Sequence, residues 1–378
     1  MFRGTMKVPF LDLNATTAEV RPQIDAAIAE IFDSSAFVLG KWGKQLEEEV
    51  AKAHGVKHGI AVNSGTDALK IALQAAGIGP GDEVITTAFT FVASVEVIAQ
   101  LGATPVFVDI DPATFNIDPS LIEAAITPRT KAILPIHLYG QLCDIREIMR
   151  IADAHGLAVI EDAAQSILAH NGGEYAGAFG KAAGISFYVT KNIGAAGDGG
   201  LIITNDDEIK ERSLSLRIHG MGKERYYYDD LGYTSRMAEI QAAVLCAKWK
   251  RLPEWNEKRS RVAEIYVEEL ADTPVVTPVT AVGNNHIWHQ FTVRSTDRDG
   301  LMAHLREKEV GSAIFYPVPL HLHDPYRAFG KGEGSLPETE RASREVLCLP
   351  IHAHLSDEQV RFAAGQIKEF CAQAAGTH

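Results

Sequence analysis

The chain has few cysteines and no long apolar run. The four cysteines, at positions 143, 246, 348 and 371, are widely scattered, and no pair has the Cys-x-x-Cys spacing typical of zinc or redox sites. We therefore expect reduced, structural thiols. No apolar stretch approaches the roughly 20 residues that cross a bilayer, and the N-terminus lacks the apolar core of a signal peptide. These absences predict a cytoplasmic protein.

Positive charge is also scarce. The net charge is −13 and the sequence pI is near 5.5, which argues against nucleic acid as a partner and means that an anionic substrate needs a local basic pocket. Fourteen histidines raise the question of a metal site. The best candidate is His321-Leu322-His323-Asp324, where alternate positions share one face of an extended segment. We expect no metal there.

The length and the apolar pattern predict an α/β protein of two domains. With 378 residues the chain exceeds one ordinary core. Short, almost continuous apolar runs alternate with helical patterns, as expected for strands buried on both faces of a mostly parallel sheet with helices on each side. The runs span residues 59–64, 83–87, 104–110, 131–138, 157–163, 184–189 and 201–206. The first run is not followed by the Gly-x-Gly-x-x-Gly fingerprint of dinucleotide-binding folds.

The last part of the chain has a different pattern. A helical stretch ends at Leu252-Pro253, because proline interrupts a helix, and mixed strand and helix patterns follow. We therefore predict a large domain over residues 1–252 and a smaller α+β domain over residues 253–378.

A carboxylate and a lysine suggest the chemistry. Asp162 follows the apolar run Leu157-Ala158-Val159-Ile160, and Lys191 lies 29 positions later (191 minus 162). Pyridoxal phosphate (PLP) binds a lysine amine as a Schiff base, and a carboxylate facing its ring nitrogen keeps that nitrogen protonated. The same lysine, displaced by an incoming amine, can then move protons. Taken alone, Asp162 is more typical of a helix cap and Lys191 of a solvated surface lysine.

A third element strengthens the interpretation. Ser64-Gly65-Thr66 follows a short apolar run and opens a helical pattern. Small hydroxyl residues and glycine at a helix start expose backbone N–H groups that bind phosphate. This turn is common, so it is informative only together with Asp162 and Lys191.

With these elements in place, the chain resembles the sugar aminotransferases of the DegT/DnrJ/StrS family. The resemblance extends from the N-terminus into the last quarter of the chain. Its matching stretches are Phe10-Leu11-Asp12-Leu13, Ser64-Gly65-Thr66-Asp67-Ala68-Leu69, Thr90-Phe91-Val92-Ala93, residues 102–109, Glu161-Asp162-Ala163-Ala164-Gln165, residues 186–192, residues 235–243 and Phe315-Tyr316-Pro317-Val318-Pro319-Leu320-His321. The resemblance implies the aspartate aminotransferase fold, fold type I, with a seven-stranded sheet.

The resemblance also implies roles in cofactor binding. Asp162 is expected to bond the pyridine N–H and Lys191 to form the Schiff base. Gln165 is similar to the family residue that contacts the ring hydroxyl, and Phe91 to the aromatic residue that stacks on the ring. The expected remaining cofactor contacts are Ser64, Gly65, Thr66, Ser186 and Asn192.

One position departs from the family pattern. Many members carry Gly-Tyr-Asn-x-Arg, whose asparagine reaches the partner subunit's phosphate, whereas this chain has Gly232-Tyr233-Thr234-Ser235-Arg236. The shorter Thr234 puts that contact in doubt, and a water or Ser235 could replace it. The surrounding motif still implies a homodimer with composite active sites, and Tyr226-Tyr227-Tyr228 supplies aromatic residues that interfaces favour.

The resemblance implies ping-pong transamination. Family dehydratases carry histidine in place of the lysine, so Lys191 favours amino transfer. The expected donor is L-glutamate and the expected acceptor a nucleotide-linked ketosugar. Tyr316 and His321 lie in a segment similar to that of members acting on 3-keto sugars, although it could be only a proline-stiffened loop. Alternatives are a 4-keto sugar, a keto-cyclitol, or a PLP-binding regulator without turnover.

Overall fold

The computed structural model describes residues 6–375, which form thirteen α-helices and twelve strands. The helices are α1 Leu13–Ala18, α2 Arg21–Ser34, α3 Lys41–Ala53, α4 Gly65–Ala75, α5 Ala93–Gln100, α6 Ile122–Ala125, α7 Ile145–His155, α8 Asp207–Leu216, α9 Glu239–Trp249, α10 Leu252–Leu270, α11 Arg298–Glu307, α12 Pro337–Glu345 and α13 Asp357–Ala375. The strands are β1 His58–Val62, β2 Glu83–Thr87, β3 Thr104–Val108, β4 Thr130–Ile133, β5 Ala158–Asp162, β6 His170–Asn171, β7 Glu174–Tyr175, β8 Ala182–Ser186, β9 Gly200–Thr204, β10 Asn284–Asn285, β11 Phe291–Arg294 and β12 Val346–Leu349.

A seven-stranded sheet forms the centre of the fold, in the order β1-β9-β8-β5-β4-β2-β3. Four neighbouring pairs, from β8 through β3, are parallel, and only β9 runs antiparallel to both of its neighbours. Each of the seven predicted apolar runs supplies one strand. The prediction of a mostly parallel sheet is therefore confirmed, and its cause is visible, because β2, β5, β8 and β9 are buried along their whole length.

Strands β4 and β8 end before the apolar runs from which they were predicted. Strand β4 ends at Ile133, although the apolar run continues to residue 138, since Pro135 has no N–H to donate to the sheet. The chain then continues beside the end of β5, where Ile136 pairs with Asp162 in parallel and the N–H of His137 donates to the carbonyl of Asp162 at 3.1 Å. Strand β8 ends at Ser186 and the next residues form a turn. Both early endings leave backbone at the carboxyl edge of the sheet, where it can shape a site.

A second core lies outside the large sheet. Helices α10 and α13 pack on the antiparallel pair β11 and β12, around Tyr266, Phe291 and Leu349. Val8, near the start of the described chain, also lies in this core and pairs with Val310. The domain boundary at residue 252 stays a prediction, and the N-terminal segment contacts the core formed mainly by the later residues.

Asp109 connects the large sheet to helix α12. Its carboxylate, at the end of β3, accepts the N–H groups of Glu338 at 2.9 Å and Thr339 at 2.8 Å, which are in the first turn of α12. Helix α12 therefore has a carboxylate from the large sheet at its N-terminus, where negative charge is stabilising. None of the helices in the described part of the chain is long and apolar enough to span a membrane.

Candidate active site

The predicted cofactor residues meet at one edge of the sheet. Asp162 ends β5, Ser186 ends β8, and Ser64 follows β1. These three strands run in the same direction, so their carboxyl ends share an edge, which is where ligands bind in α/β sheets. Phe91 lies on the connection that follows β2, at the same edge.

Asp162 is buried and held at both carboxylate oxygens. Its Oδ1 accepts the N–H of Ala164 at 3.0 Å, and its Oδ2 accepts the hydroxyl of Ser94 at 2.7 Å. Only 5% of the residue is exposed. Burial raises the pKa of Asp162 above its usual value, while the two hydrogen bonds and the charges of Lys191 and His137 oppose that rise.

Lys191 follows β8 on a short turn, in which its N–H donates to the carbonyl of Tyr188 at 2.8 Å. The side chain is partly covered, and its amine lies deep enough that burial lowers the pKa of Lys191 to about 8, against the opposing effect of the Asp162 carboxylate. A lysine with this pKa loses its proton far more readily than a surface lysine. The amine is therefore suited to act as a nucleophile and as a base.

The turn at Ser64 forms the start of α4. The Ser64 hydroxyl accepts the N–H of Asp67 at 3.1 Å and so caps the helix. At Gly65 a Cβ atom would lie 2.6 Å from the Cβ of Ser186, so only glycine fits there. The close approach brings the Ser186 hydroxyl beside the first N–H groups of the helix, and together they could hold a phosphate.

Gln165 has a fixed orientation. Its Oε1 accepts the N–H of Tyr139 at 2.8 Å, and its Nε2 donates to the hydroxyl of Tyr316 at 3.2 Å. The Tyr139 hydroxyl in turn donates to the carbonyl of Phe315. Tyr139 is a site residue that the sequence did not indicate, because no local pattern distinguishes it from a core tyrosine.

Two aromatic rings line the cluster. Phe91 is 55% exposed, and its ring lies 6.4 Å from that of Tyr316. Burial raises the pKa of Tyr316 above its usual value, so the phenol stays protonated and can donate a hydrogen bond at neutral pH. The exposed ring of Phe91 offers a face on which a planar group could stack.

Asn192 is buried beside Lys191 but points into the protein. Its Nδ2 donates to Asn256 at 2.9 Å and to the carbonyl of Ile287 at 3.0 Å, and its Oδ1 lies 3.0 Å from Nδ1 of His289. Both amide N–H groups are used. The side-chain donors are therefore engaged within the protein, and the cofactor contact of Asn192 stays a prediction.

The segment that departs from the family pattern lies near the start of α4. Thr234 is exposed, and its hydroxyl lies 3.0 Å from Nε2 of His219. The Ser235 hydroxyl donates to Asp67 at 2.7 Å and accepts the N–H of Asn63 at 3.2 Å. Ser235 is completely buried, so it does not replace the asparagine contact that Thr234 puts in doubt.

His321 does not join the cluster. The residue is 0% exposed, and its Nε2 lies 3.1 Å from a carboxylate oxygen of Glu340. The predicted contact between His321 and a sugar is therefore corrected, because the buried imidazole offers no surface to a ligand. Within residues 6–375 no three His, Cys, Asp or Glu side chains are placed to hold a metal ion.

The cluster as a whole fits a planar, phosphorylated cofactor. It combines the buried carboxylate of Asp162, the Lys191 amine of lowered pKa and the exposed ring of Phe91. The N-terminus of α4 completes it, at a position where any side chain in place of Gly65 would clash with Ser186. The model for DegT/DnrJ/EryC1/StrS aminotransferases matches residues 19–368. The chain belongs to this aminotransferase family.

Two relatives illustrate the membership. The chain is 50% identical to the pleiotropic regulatory protein of Geobacillus stearothermophilus, over 97% of this chain and 99% of the relative. It is 43% identical to UDP-N-acetyl-3-dehydro-alpha-D-glucosamine 3-aminotransferase of Acidithiobacillus ferrooxidans, over 96% of this chain and 97% of the relative.

Solved structures of the family have the same fold. S. venezuelae DesV, in complex with a ketimine intermediate, matches with a TM-score of 0.94 and 43% identity, over 97% of this chain and 99% of that chain. NtdA of Bacillus subtilis, with bound cofactor PMP, matches with a TM-score of 0.90 and 33% identity, over 98% of this chain and 87% of that chain. The predicted family and fold type I are confirmed, and the chain is an enzyme of the aminotransferase family.

The lowered pKa of Lys191 predicts how the cofactor-free protein captures pyridoxal phosphate. With a pKa of about 8, roughly a tenth of the Lys191 amines are neutral at pH 7, so the capture rate rises with pH through about 8. In Asp162→Asn the anion that raises this pKa is lost, so the rise moves to lower pH. The rate is followed by absorbance.

Lys181→Ala, which removes an exposed lysine, serves as the control and keeps the wild-type profile. A rise centred near pH 10 in the wild-type protein would contradict the burial of the Lys191 amine.

Proposed function

We propose that the enzyme is a PLP-dependent aminotransferase that transfers the amino group of L-glutamate to carbon 3 of a nucleotide-linked ketosugar. The observation that carries the proposal is the buried pair of Asp162 and Lys191, with opposite effects of burial on the two pKa values. The relative from A. ferrooxidans is named for amination at carbon 3 of a UDP-linked sugar, which supports this acceptor.

Asp162 and Lys191 perform complementary tasks in this proposal. When bound, PLP supplies a ring that withdraws electrons from the substrate carbon, most strongly with its ring nitrogen protonated. The Asp162 carboxylate would accept that N–H and so favour the protonated ring. The Lys191 amine would serve as the base that takes the proton from the substrate carbon.

The surrounding residues orient the cofactor. The N–H groups at Gly65 and Thr66, with the hydroxyls of Ser64 and Ser186, would bind the phosphate. Phe91 would stack on the ring, and the Nε2 group of Gln165 would donate to the ring hydroxyl. Support comes from the exposed face of Phe91 and from the fixed orientation of Gln165, whose oxygen already accepts the N–H of Tyr139.

A regulatory function without turnover is the second candidate, because the G. stearothermophilus relative is named a pleiotropic regulatory protein. Schiff-base formation needs a neutral amine in a regulator as well as in an enzyme, so the lowered pKa of Lys191 fits both. The match to the aminotransferase family over residues 19–368 favours an enzyme.

The function is tested by following each half-reaction separately. PLP-loaded protein is first mixed with glutamate, and conversion to pyridoxamine phosphate is followed by absorbance. The aminated protein is then given a panel of nucleotide-linked 3-keto and 4-keto sugars, and products are identified by mass and NMR. We expect a 3-amino sugar. A 4-amino product would overturn the carbon assignment, and bound PLP without turnover of any donor or sugar would favour the regulator.

Tyr316→Phe makes this test specific to the sugar side. Tyr316 comes from the segment 315–321 and faces the cluster, so losing its hydroxyl should slow the ketosugar half-reaction about tenfold while changing the glutamate half-reaction little. His321→Asn is the matched comparison from the same segment. Since His321 is buried against Glu340, its change should lower the melting temperature instead. Equal losses in both half-reactions of Tyr316→Phe would contradict the sugar contact.

We further propose a homodimer in which Thr234 of one subunit lies near the site of the other. Large apolar side chains are exposed in two segments, residues 32–39 and residues 226–231, which supports an interface there. They are Phe32, Phe37, Val38, Leu39, Tyr226, Tyr227, Tyr228 and Leu231. Analytical ultracentrifugation at the assay concentration should give a dimer. A fully active monomer would refute the composite site.

A further inference from the structure

Ser94 contacts Asp162 although it lies outside every predicted site motif. It is in the first turn of α5, only 1% exposed, with its hydroxyl oxygen 2.7 Å from Oδ2 of Asp162. The hydroxyl of Thr90, also buried, lies 3.1 Å from that of Ser94. The two hydroxyls and the carboxylate form a short chain that is closed off from solvent.

The direction of the hydrogen bonds in this chain is determined by chemistry. An ionised carboxylate only accepts, so Ser94 must donate its single hydroxyl proton to Asp162. Thr90 must then donate to the oxygen of Ser94. The carbonyl of Phe91 also lies within reach of Ser94, but at 3.3 Å it is a weaker acceptor than the carboxylate. Thr90 therefore orients Ser94, and Ser94 orients Asp162.

Few other groups support the charge of Asp162. Its second oxygen accepts one backbone N–H, from Ala164, and the charges that stabilise its anion are those of Lys191 and His137. Burial opposes the anion. Without Ser94, the oxygen Oδ2 would lose the hydroxyl that bonds it, at a site where water cannot easily replace it.

We propose that Ser94, held by Thr90, is a positioning residue that keeps the Asp162 carboxylate ionised and turned toward the ring nitrogen of the cofactor. The proposal deepens the proposed function and rests on it. Asp162 touches the cofactor in this account, whereas Ser94 and Thr90 act only through Asp162. Phe91 lies between Thr90 and Ser94 in sequence and would stack on the ring of the cofactor. The segment that follows β2 would therefore contact the face of the ring through Phe91 and act on the ring nitrogen through Ser94 and Asp162.

The test uses PLP labelled with ¹⁵N at its ring nitrogen, because the ¹⁵N chemical shift reports whether that nitrogen is protonated. In Ser94→Ala the signal should move toward the unprotonated value. The rate constant of each half-reaction should fall about tenfold, while the apparent dissociation constant of each substrate should change little. Ser94→Thr retains the hydroxyl and should restore the signal. Thr90→Val should shift it in the same direction by a smaller amount.

Ser166→Ala is the matched control. Ser166 is also buried and close to Asp162 in sequence, but its hydroxyl has no hydrogen-bond partner within residues 6–375. Its removal should leave the ¹⁵N signal and both rates unchanged. If Ser94→Ala kept the wild-type signal and rates, the proposal would be overturned.

The outcome for Ser94 is separable from that for the proposed function. The ¹⁵N signal needs only bound PLP, so a protein that binds PLP without turnover still tests Ser94. If Ser94→Ala fails to fold, Thr90→Val decides, and an unchanged signal in that variant would contradict the role of the hydroxyl chain. A wild-type protein that binds no PLP would overturn both.

Discussion

The active site depends on keeping a negative charge and a readily neutralised amine close together where little water reaches. Burial acts on both groups against their charged forms, raising the pKa of Asp162 and lowering that of Lys191. Each charge partly offsets the effect of burial on the other. Further stabilisation of the Asp162 anion comes from the charge of His137 and from two neutral donors, the hydroxyl of Ser94 and the N–H of Ala164.

The order of the strands makes this pairing possible. Strands β5 and β8 are neighbours in parallel register, with Asp162 opposite Gly184, so the turn that carries Lys191 emerges beside the end of β5. Strand β9 runs back beside β8, and its first residue, Gly200, approaches the carbonyl of Ser64 so closely that a Cβ atom would lie 2.1 Å away. Because Gly200 has no side chain, the start of α4 can lie against the beginning of β9, close to the turn that carries Lys191.

Much of this arrangement could be predicted from the sequence. The seven strands were predictable because continuous apolar runs are required of strands buried on both faces. Asp162, Lys191 and the Ser64-Gly65-Thr66 turn were predictable because their chemistry demands particular residue types in a particular order. Ser94 and Tyr139 could not be found in this way, since their roles arise from contacts between segments distant in sequence.

His321 shows the opposite failure. Tyr316 of the segment 315–321 lies beside Gln165, but the pattern of the segment does not determine which side chains face the cluster and which face the core. A pairing with Glu340, which lies on α12 19 residues later, directs His321 inward. Asn192 illustrates the same limit: its position next to the lysine suggests the cofactor, whereas its side-chain amide donates to Asn256 and to the carbonyl of Ile287.

Lys191, beside buried Asp162, is the lysine that we expect to hold the cofactor. The most direct test is to load the protein with PLP, reduce it with borohydride, and identify the modified lysine by peptide mass spectrometry. We expect the cofactor to be fixed to Lys191. Attachment to any other lysine, with Lys191 unmodified, would contradict it.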